Sequence, residues 1–100
     1  MNTHPMKLVT IVCEAYALSP VKRLLQEAGA HGWTHFPVEG AGDGGERSGE
    51  TPDYANVQIE VVLQPAAAEL LLSRLHAEFF PRYGMIVFES DVRVIRSGKY

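Results

Sequence analysis

Five of the ten residues from Gly40 to Gly49 are glycine, and no strand or helix period survives across them. A chain of 100 residues hides only about 60 to 70% of its unfolded surface on folding, so it has little core to spare for such a stretch. The fold must be built from the patterned residues on either side. With its flanks the stretch runs from Glu39 to Asp53, 15 residues between two runs that read as strands. A hairpin link needs about 2 to 5 residues. Links as long as this are functional or unstructured, and this one reads as both, free without a ligand and ordered with one.

Upstream, KLVTIVC (Lys7 to Cys13) is compact and β-rich and reads as a central strand. Ser19 and Pro20 read as the N-cap and first position of a helix, followed by Val21, Leu24, Leu25 and Ala28 at i, i+3, i+4 and i+7. Gly29 and Gly32 end it, and WTHFPV (Trp33 to Val38) reads as a second strand. Downstream, Val57, Ile59, Val61 and Leu63 alternate with Asn56, Gln58 and Glu60, the pattern of a strand with one buried face. Pro65 opens a second helix with a stripe of Ala68, Leu71, Leu72, Leu75 and Phe79, ending near Pro81 and Gly84. MIVFES and VRVIR close the chain as one bent strand or two short ones.

The order β-α-β-β-α-β predicts an α+β, ferredoxin-like single domain over residues 1–100, with two helices on one face of a four-stranded antiparallel sheet. The long glycine-rich link falls between the second and third strands. Nothing in the sequence is left to cover the other face, and Val62 adds an apolar side chain to the minority register. Copies of the same chain are expected to close that face in a cyclic oligomer.

A formal charge of -3 and a pI near 5.7 give no electrostatic ground for nucleic acid or an anionic membrane as partner. Cys13 is the sole cysteine, which excludes an internal disulfide and a multi-cysteine zinc site and fits a reducing cytoplasm. The apolar run before Glu14 is too short for a signal peptide or membrane span. His4, His31, His35 and His76 lack ligand spacing, so no metal is expected. Cys13 beside Glu14 reads as strand-end core rather than nucleophile and base, and Glu60 and Glu89 read as exposed strand positions. No paired-carboxylate, serine-triad or Walker pattern is present, and the chain reads as non-enzymatic.

Gly40, Gly42 and Gly45 satisfy G-x-G-x-x-G after a strand, but ERSGETPDY has no helical stripe and meets Pro52, so the dinucleotide-binding reading fails. What remains is an anion nest of glycine N–H groups. Arg47 is the one cation among Glu39, Asp43, Glu46, Glu50 and Asp53, with Ser48 and Gly49 beside it. Two readings stay open for Arg47, a solvated side chain and a phosphate contact. Fixing a residue costs about 1 to 2 kcal/mol and a charge-assisted hydrogen bond returns about 1.5 to 3 kcal/mol. A small ligand can therefore hold a few residues of the link, not all of it.

KLVTIVCEAYALSPVKRLLQEAGAHGWTHFPVEGAG resembles the opening of the PII signal-transduction proteins, in which a G-x-T-V-x-x-V-x-G-x-G run leads into a long T-loop. VQIEVVL resembles the strand leaving that loop, and DVRVIRSGK resembles the C-terminal V-R-I-R-T-G. The resemblance implies a homotrimer with adenine nucleotides in clefts between subunits. Carried over by position, it implies Gly32, Trp33, Thr34 and Val62 near the adenine and Glu60 near the ribose. It also implies Gly40, Ala41 and Gly42 by the phosphates at the base of the T-loop, with Gly84 to Val87, including Met85, and Arg96 completing the cleft. Ordinary strand-and-turn packing is the alternative for each of these positions.

The departures from the family pattern are informative. Nitrogen-regulatory members follow G-F-G with R-Q-K, whereas Asp43, Gly44 and Gly45 follow Gly42 here, so the glutamine used for magnesium and 2-oxoglutarate is missing. Their phosphate loop T-G-x-x-G-D-G-K is reduced to RYGM, and the modified loop tyrosine has no counterpart, Tyr54 falling at the start of the next strand. The pattern is more similar to the PII-like branch tied to inorganic carbon, which includes regulators of bicarbonate transporters and carboxysome-associated members. In that branch a loop R-S-x-G or similar stretch contacts the nucleotide, and Arg47, Ser48 and Gly49 resemble that stretch. The resemblance implies AMP or ADP as ligand, bicarbonate at the loop base (Gly42, Arg47, Ser48), a T-loop protein partner, and a cytoplasmic location at a carboxysome or membrane transporter. A small ferredoxin-like enzyme and a structural trimer that binds no nucleotide are the rival expectations.

Overall fold

The computed structural model describes residues 1–42, 45–47 and 56–100. Strand β1 (His4–Glu14) leads through a 3-10 turn (Ala15–Ala17) into α1 (Leu18–Glu27), then β2 (Thr34–Val38). A short ribbon follows, β3 (Gly40–Gly42) paired with β4 (Gly45–Arg47). Next come β5 (Asn56–Leu63), α2 (Pro65–Arg74) with a π turn (Leu75–Phe79), β6 (Ile86–Val94) and a closing 3-10 turn (Ser97–Lys99). The main sheet has the order β2-β5-β1-β6 with every pair antiparallel. This is the expected ferredoxin-like α+β arrangement.

The register explains the alternation in β5. Val9, Ile11 and Cys13 of β1 lie opposite Val61, Ile59 and Val57 of β5 on one face. That face meets Val21, Leu24 and Leu25 of α1 and Ala68, Leu71 and Leu75 of α2, and together they form the core. Each fully buried side chain of the larger kind contributes about 1.5 to 3 kcal/mol. Cys13 is wholly inside this cluster, as its place at a strand end implied.

Helix ends show where local chemistry was read well and where it was not. Pro65 stands in the first turn of α2, where its missing N–H is no loss. Gly29 has φ 91°, and the bonds from Gly29 N–H to Gln26 O (3.2 Å) and from Ala30 N–H to Leu25 O (2.9 Å) close α1 with a left-handed Schellman cap. Ser19, by contrast, is not the N-cap. The 3-10 turn brings Ala17 to that position, so Ser19 and Pro20 lie inside the first turn of α1. Ala17 is fully buried, and its docking on the core sets the helix start in place of a side-chain cap. The closing residues form one strand, the first of the two readings.

The glycine-rich link is not without order. Gly40 pairs with Arg47, Ala41 with Glu46 and Gly42 with Gly45, extending the hairpin past β2. Backbone pairing requires no side-chain period, so composition concealed it. Asp43, Gly44, Ser48, Gly49, Glu50, Asp53 and Tyr54 lie outside the described residues.

Candidate functional site

The face of the sheet away from the helices is built in rows. Thr34, Glu60, Thr10 and Phe88 form one row across β2, β5, β1 and β6, and Phe36, Gln58, Val12 and Ile86 form the next. Phe36 (38%), Ile86 (51%) and Phe88 (51%) are exposed there. Ile86 and Phe88 share the edge strand β6, and Phe36 stands on the opposite edge beyond Gln58 and Val12; apolar side chains left in water in this way mark a surface that a partner can cover. Thr10 and Asn56 are nevertheless buried in the chain itself, and no buried side-chain polar atom among the described residues lacks a hydrogen bond.

The expected site residues fall at two levels of this sheet, one midway along it and one at the end that carries the ribbon. At the first, Thr34 opens β2 directly opposite Glu60, and Gln58 donates its amide Nε2 to Glu60 Oε1 at 3.1 Å, which holds the carboxylate in place. Val62 lies opposite Leu8 on the same open face. Gly32 and Trp33 precede Thr34, Trp33 half-buried against the core. Arg96 is exposed just past the end of β6, eight residues along from Phe88 in the Glu60 row, so within one chain it stands apart from this cluster. A Cβ added at Gly32 or Gly40 would meet nothing within 4 Å, so packing within the chain does not account for either glycine.

At the second lie Gly40, Ala41 and Gly42, with Arg47 across from Gly40 in the ribbon. Gly84 and Met85 connect the π turn to the start of β6 at this end too, and Met85 packs on the core. Val87 faces the helices, opposite Ile11, and also packs on the core, so its side chain does not point to the open face. Ser48 lies outside the described residues. From Asn56 to Val62 is six steps along β5, roughly 20 Å at about 3.3 Å per residue. One small ligand cannot reach both ends of a single chain.

Chemically the two levels differ. The first offers a carboxylate and a hydroxyl suited to hydroxyl-bearing ligands, whereas the second offers the main chain of a short glycine-rich ribbon. Sequence reasoning missed an aromatic cluster at the second end. Tyr16 and Tyr83 stand with ring centroids 5.7 Å apart, and Phe79 and Tyr83 5.6 Å apart. Partial desolvation, with Glu14 adding to it, pushes the Tyr16 phenol up from its ordinary pKa even though Tyr16 is 56% exposed. No period links these three residues; only the proximity of Tyr83 to Gly84 in RYGM gave a signal.

Residues 6–99 match the family model described as nitrogen regulatory protein P-II. The chain belongs to the P-II family. A PII-like signaling protein from Thermus thermophilus shares 35% identity with a TM-score of 0.87, covering 100% of this chain and 99% of that one. The P-II-like protein CPII from Thiomonas intermedia, solved with ADP, AMP and bicarbonate, shares 26% identity with a TM-score of 0.90 over 98% of this chain and 95% of that one. A DUF3240 family protein from Shewanella baltica, at 15% identity and a TM-score of 0.67 over 84% of this chain and 86% of that one, shares the fold. The P-II assignment agrees with the resemblance carried by the strand, loop-base and C-terminal motifs. Among the described residues no helix is long and apolar enough to cross a membrane.

Proposed function

We propose that this P-II family chain is a non-enzymatic sensor that assembles as a homotrimer and binds ADP or AMP in the clefts between its subunits, with bicarbonate at the loop base. The observation that carries the reading is the division of the candidate residues between two ends of one sheet, beside an uncovered apolar face. Each chain then supplies two half-sites, and a whole cleft forms where one end of a subunit meets the other end of its neighbour. Thr34, Glu60 and Val62, with Gly32, Trp33 and Arg96, would hold the nucleoside. Gly40 to Gly42, Arg47, Ser48, Gly84 and Met85 would meet the phosphates, and the Val87 position would contribute backbone rather than side chain. Support for the ligands comes from CPII, a relative solved with ADP, AMP and bicarbonate.

Ligand binding would favour one arrangement of the T-loop, and a protein partner that prefers one arrangement would read occupancy as a shift in population. A role in inorganic-carbon metabolism, in the cytoplasm at a transporter or carboxysome, follows from the Arg47-Ser48-Gly49 likeness and belongs to the same proposal. Titration calorimetry with ADP, AMP and other nucleotides, with and without bicarbonate, tests the ligands, and sedimentation tests the assembly. Heat of binding confined to adenylates, with trimer mass, is the expected result. A monomer at micromolar concentration, or no adenylate binding, refutes the reading.

A further inference from the structure

We infer that the seam between α1 and α2 is a docking groove for an acidic peptide segment of a partner protein. The groove shares Phe79 and Tyr83 with the aromatic cluster at the second end of the sheet, but its occupancy needs no nucleotide. The groove encloses about 540 Å³ and is open along one side, a volume within the usual range of ligand sites. The helices pass antiparallel along it. Glu27, the last residue of α1, meets Arg74, while Pro20 in the first turn of α1 lies with Pro81 and Arg82 beyond the π turn.

Charges line both walls but are not equivalent. The Arg74 guanidinium donates to Glu27 Oε1 at 2.9 Å and grips both oxygens of Glu78, at 2.7 and 3.1 Å. That fork ties the helices together and occupies both carboxylates. Arg23 and Arg82 are exposed in the same groove with no ion-pair partner among the described residues. In a chain of net charge -3, three of the nine lysines and arginines therefore converge on one groove. The apolar lining is Leu24, Phe79 and Tyr83, of which Tyr83 is half-buried and the other two are buried, and Arg82 also acts electrostatically on Glu78.

Guanidinium groups recognise carboxylates through paired N–H donors. Two exposed guanidiniums in one groove with the half-buried Tyr83 fit a segment that carries acidic residues near an apolar one. The open side suits a length of chain. The groove lies on the helical side, opposite the open sheet face, so copies of the chain packing through that face leave it accessible.

The test is selection from a displayed random-heptapeptide library on the full chain, followed by affinity measurement on the synthetic form of the enriched peptide. Enriched sequences should carry at least two acidic residues around an apolar one, and affinity should fall as salt rises. The double variant Arg23→Ala, Arg82→Ala should lose about tenfold or more in affinity, and Arg23→Lys with Arg82→Lys should fall between it and the parent. Both positions are exposed, so thermal melting should match the parent. No enrichment, enrichment of neutral or basic peptides, or equal affinity for the alanine variant overturns the inference. Adenylate titration of the same variants reports on the nucleotide cleft separately.

Discussion

Mixing two crippled subunits tests whether the cleft is shared between chains. Glu60→Ala removes the carboxylate at one end of the sheet, and Arg47→Ala removes the cation at the other. Each substitution deletes a charge-assisted contact worth about 1.5 to 3 kcal/mol, so each variant alone should bind ADP roughly 10- to 150-fold more weakly. The two ends are roughly 20 Å apart within a chain, and the proposal takes them from different subunits. In trimers reassembled from an equal mixture, a cleft draws its Glu60 end from an intact donor about half the time and its Arg47 end likewise. About one quarter of the clefts should then be whole. Calorimetric titration of the mixture with ADP should recover parental affinity at about a quarter of the parental stoichiometry. If both ends served one chain, every chain would carry a lesion and no tight site would return. That outcome refutes the shared cleft even if both single variants weaken binding.

Three further expectations follow from the fold. Leu71→Ala empties a fully buried position beneath α2 and should cost about 2 to 5 kcal/mol in denaturant unfolding; a loss below about 1 kcal/mol would contradict its place in the core. Gly29→Ala places a Cβ at φ 91° and should cost about 1 kcal/mol or more, read as a lower urea midpoint with unchanged slope. Hydrogen bonding from Arg74 holds the Glu78 carboxyl below its ordinary pKa, so its contribution is present above about pH 4.3 and disappears as pH falls through the lowered folded value. Glu78→Gln should therefore be less stable than the parent at about pH 6, with the difference closing below about pH 4; a constant gap across that range would remove the Arg74 bond as its cause.

Much of this architecture was legible because burial leaves a period. Val57, Ile59, Val61 and Leu63 could face only one layer, and Leu71, Leu75 and Phe79 kept a helical stripe through the π turn. The start of α1 was not legible, because it depends on the docking of Ala17 rather than on the hydroxyl of Ser19. The ribbon of Gly40–Gly42 and Gly45–Arg47 was hidden for the opposite reason, since its bonds are all main-chain. For the site, resemblance supplied residues one by one, but their separation into two ends became visible only from the strand register. Val87 shows the same limit: a position named for the cleft turned out to point its side chain into the core.

Asn56 faces Val38 on one side and Glu14 on the other, buried at the root of the glycine-rich hairpin. Slipping that root by one residue would turn Val57, Ile59, Val61 and Leu63 toward water together, forfeiting on the order of 10 kcal/mol, comparable to the whole stability of a small domain. Whatever happens beyond Asn56 on binding, the ladder beneath it stays in step. Under the proposed function, a signal would accordingly travel outward, by touch at the hairpin, and not inward as a rearrangement of the frame.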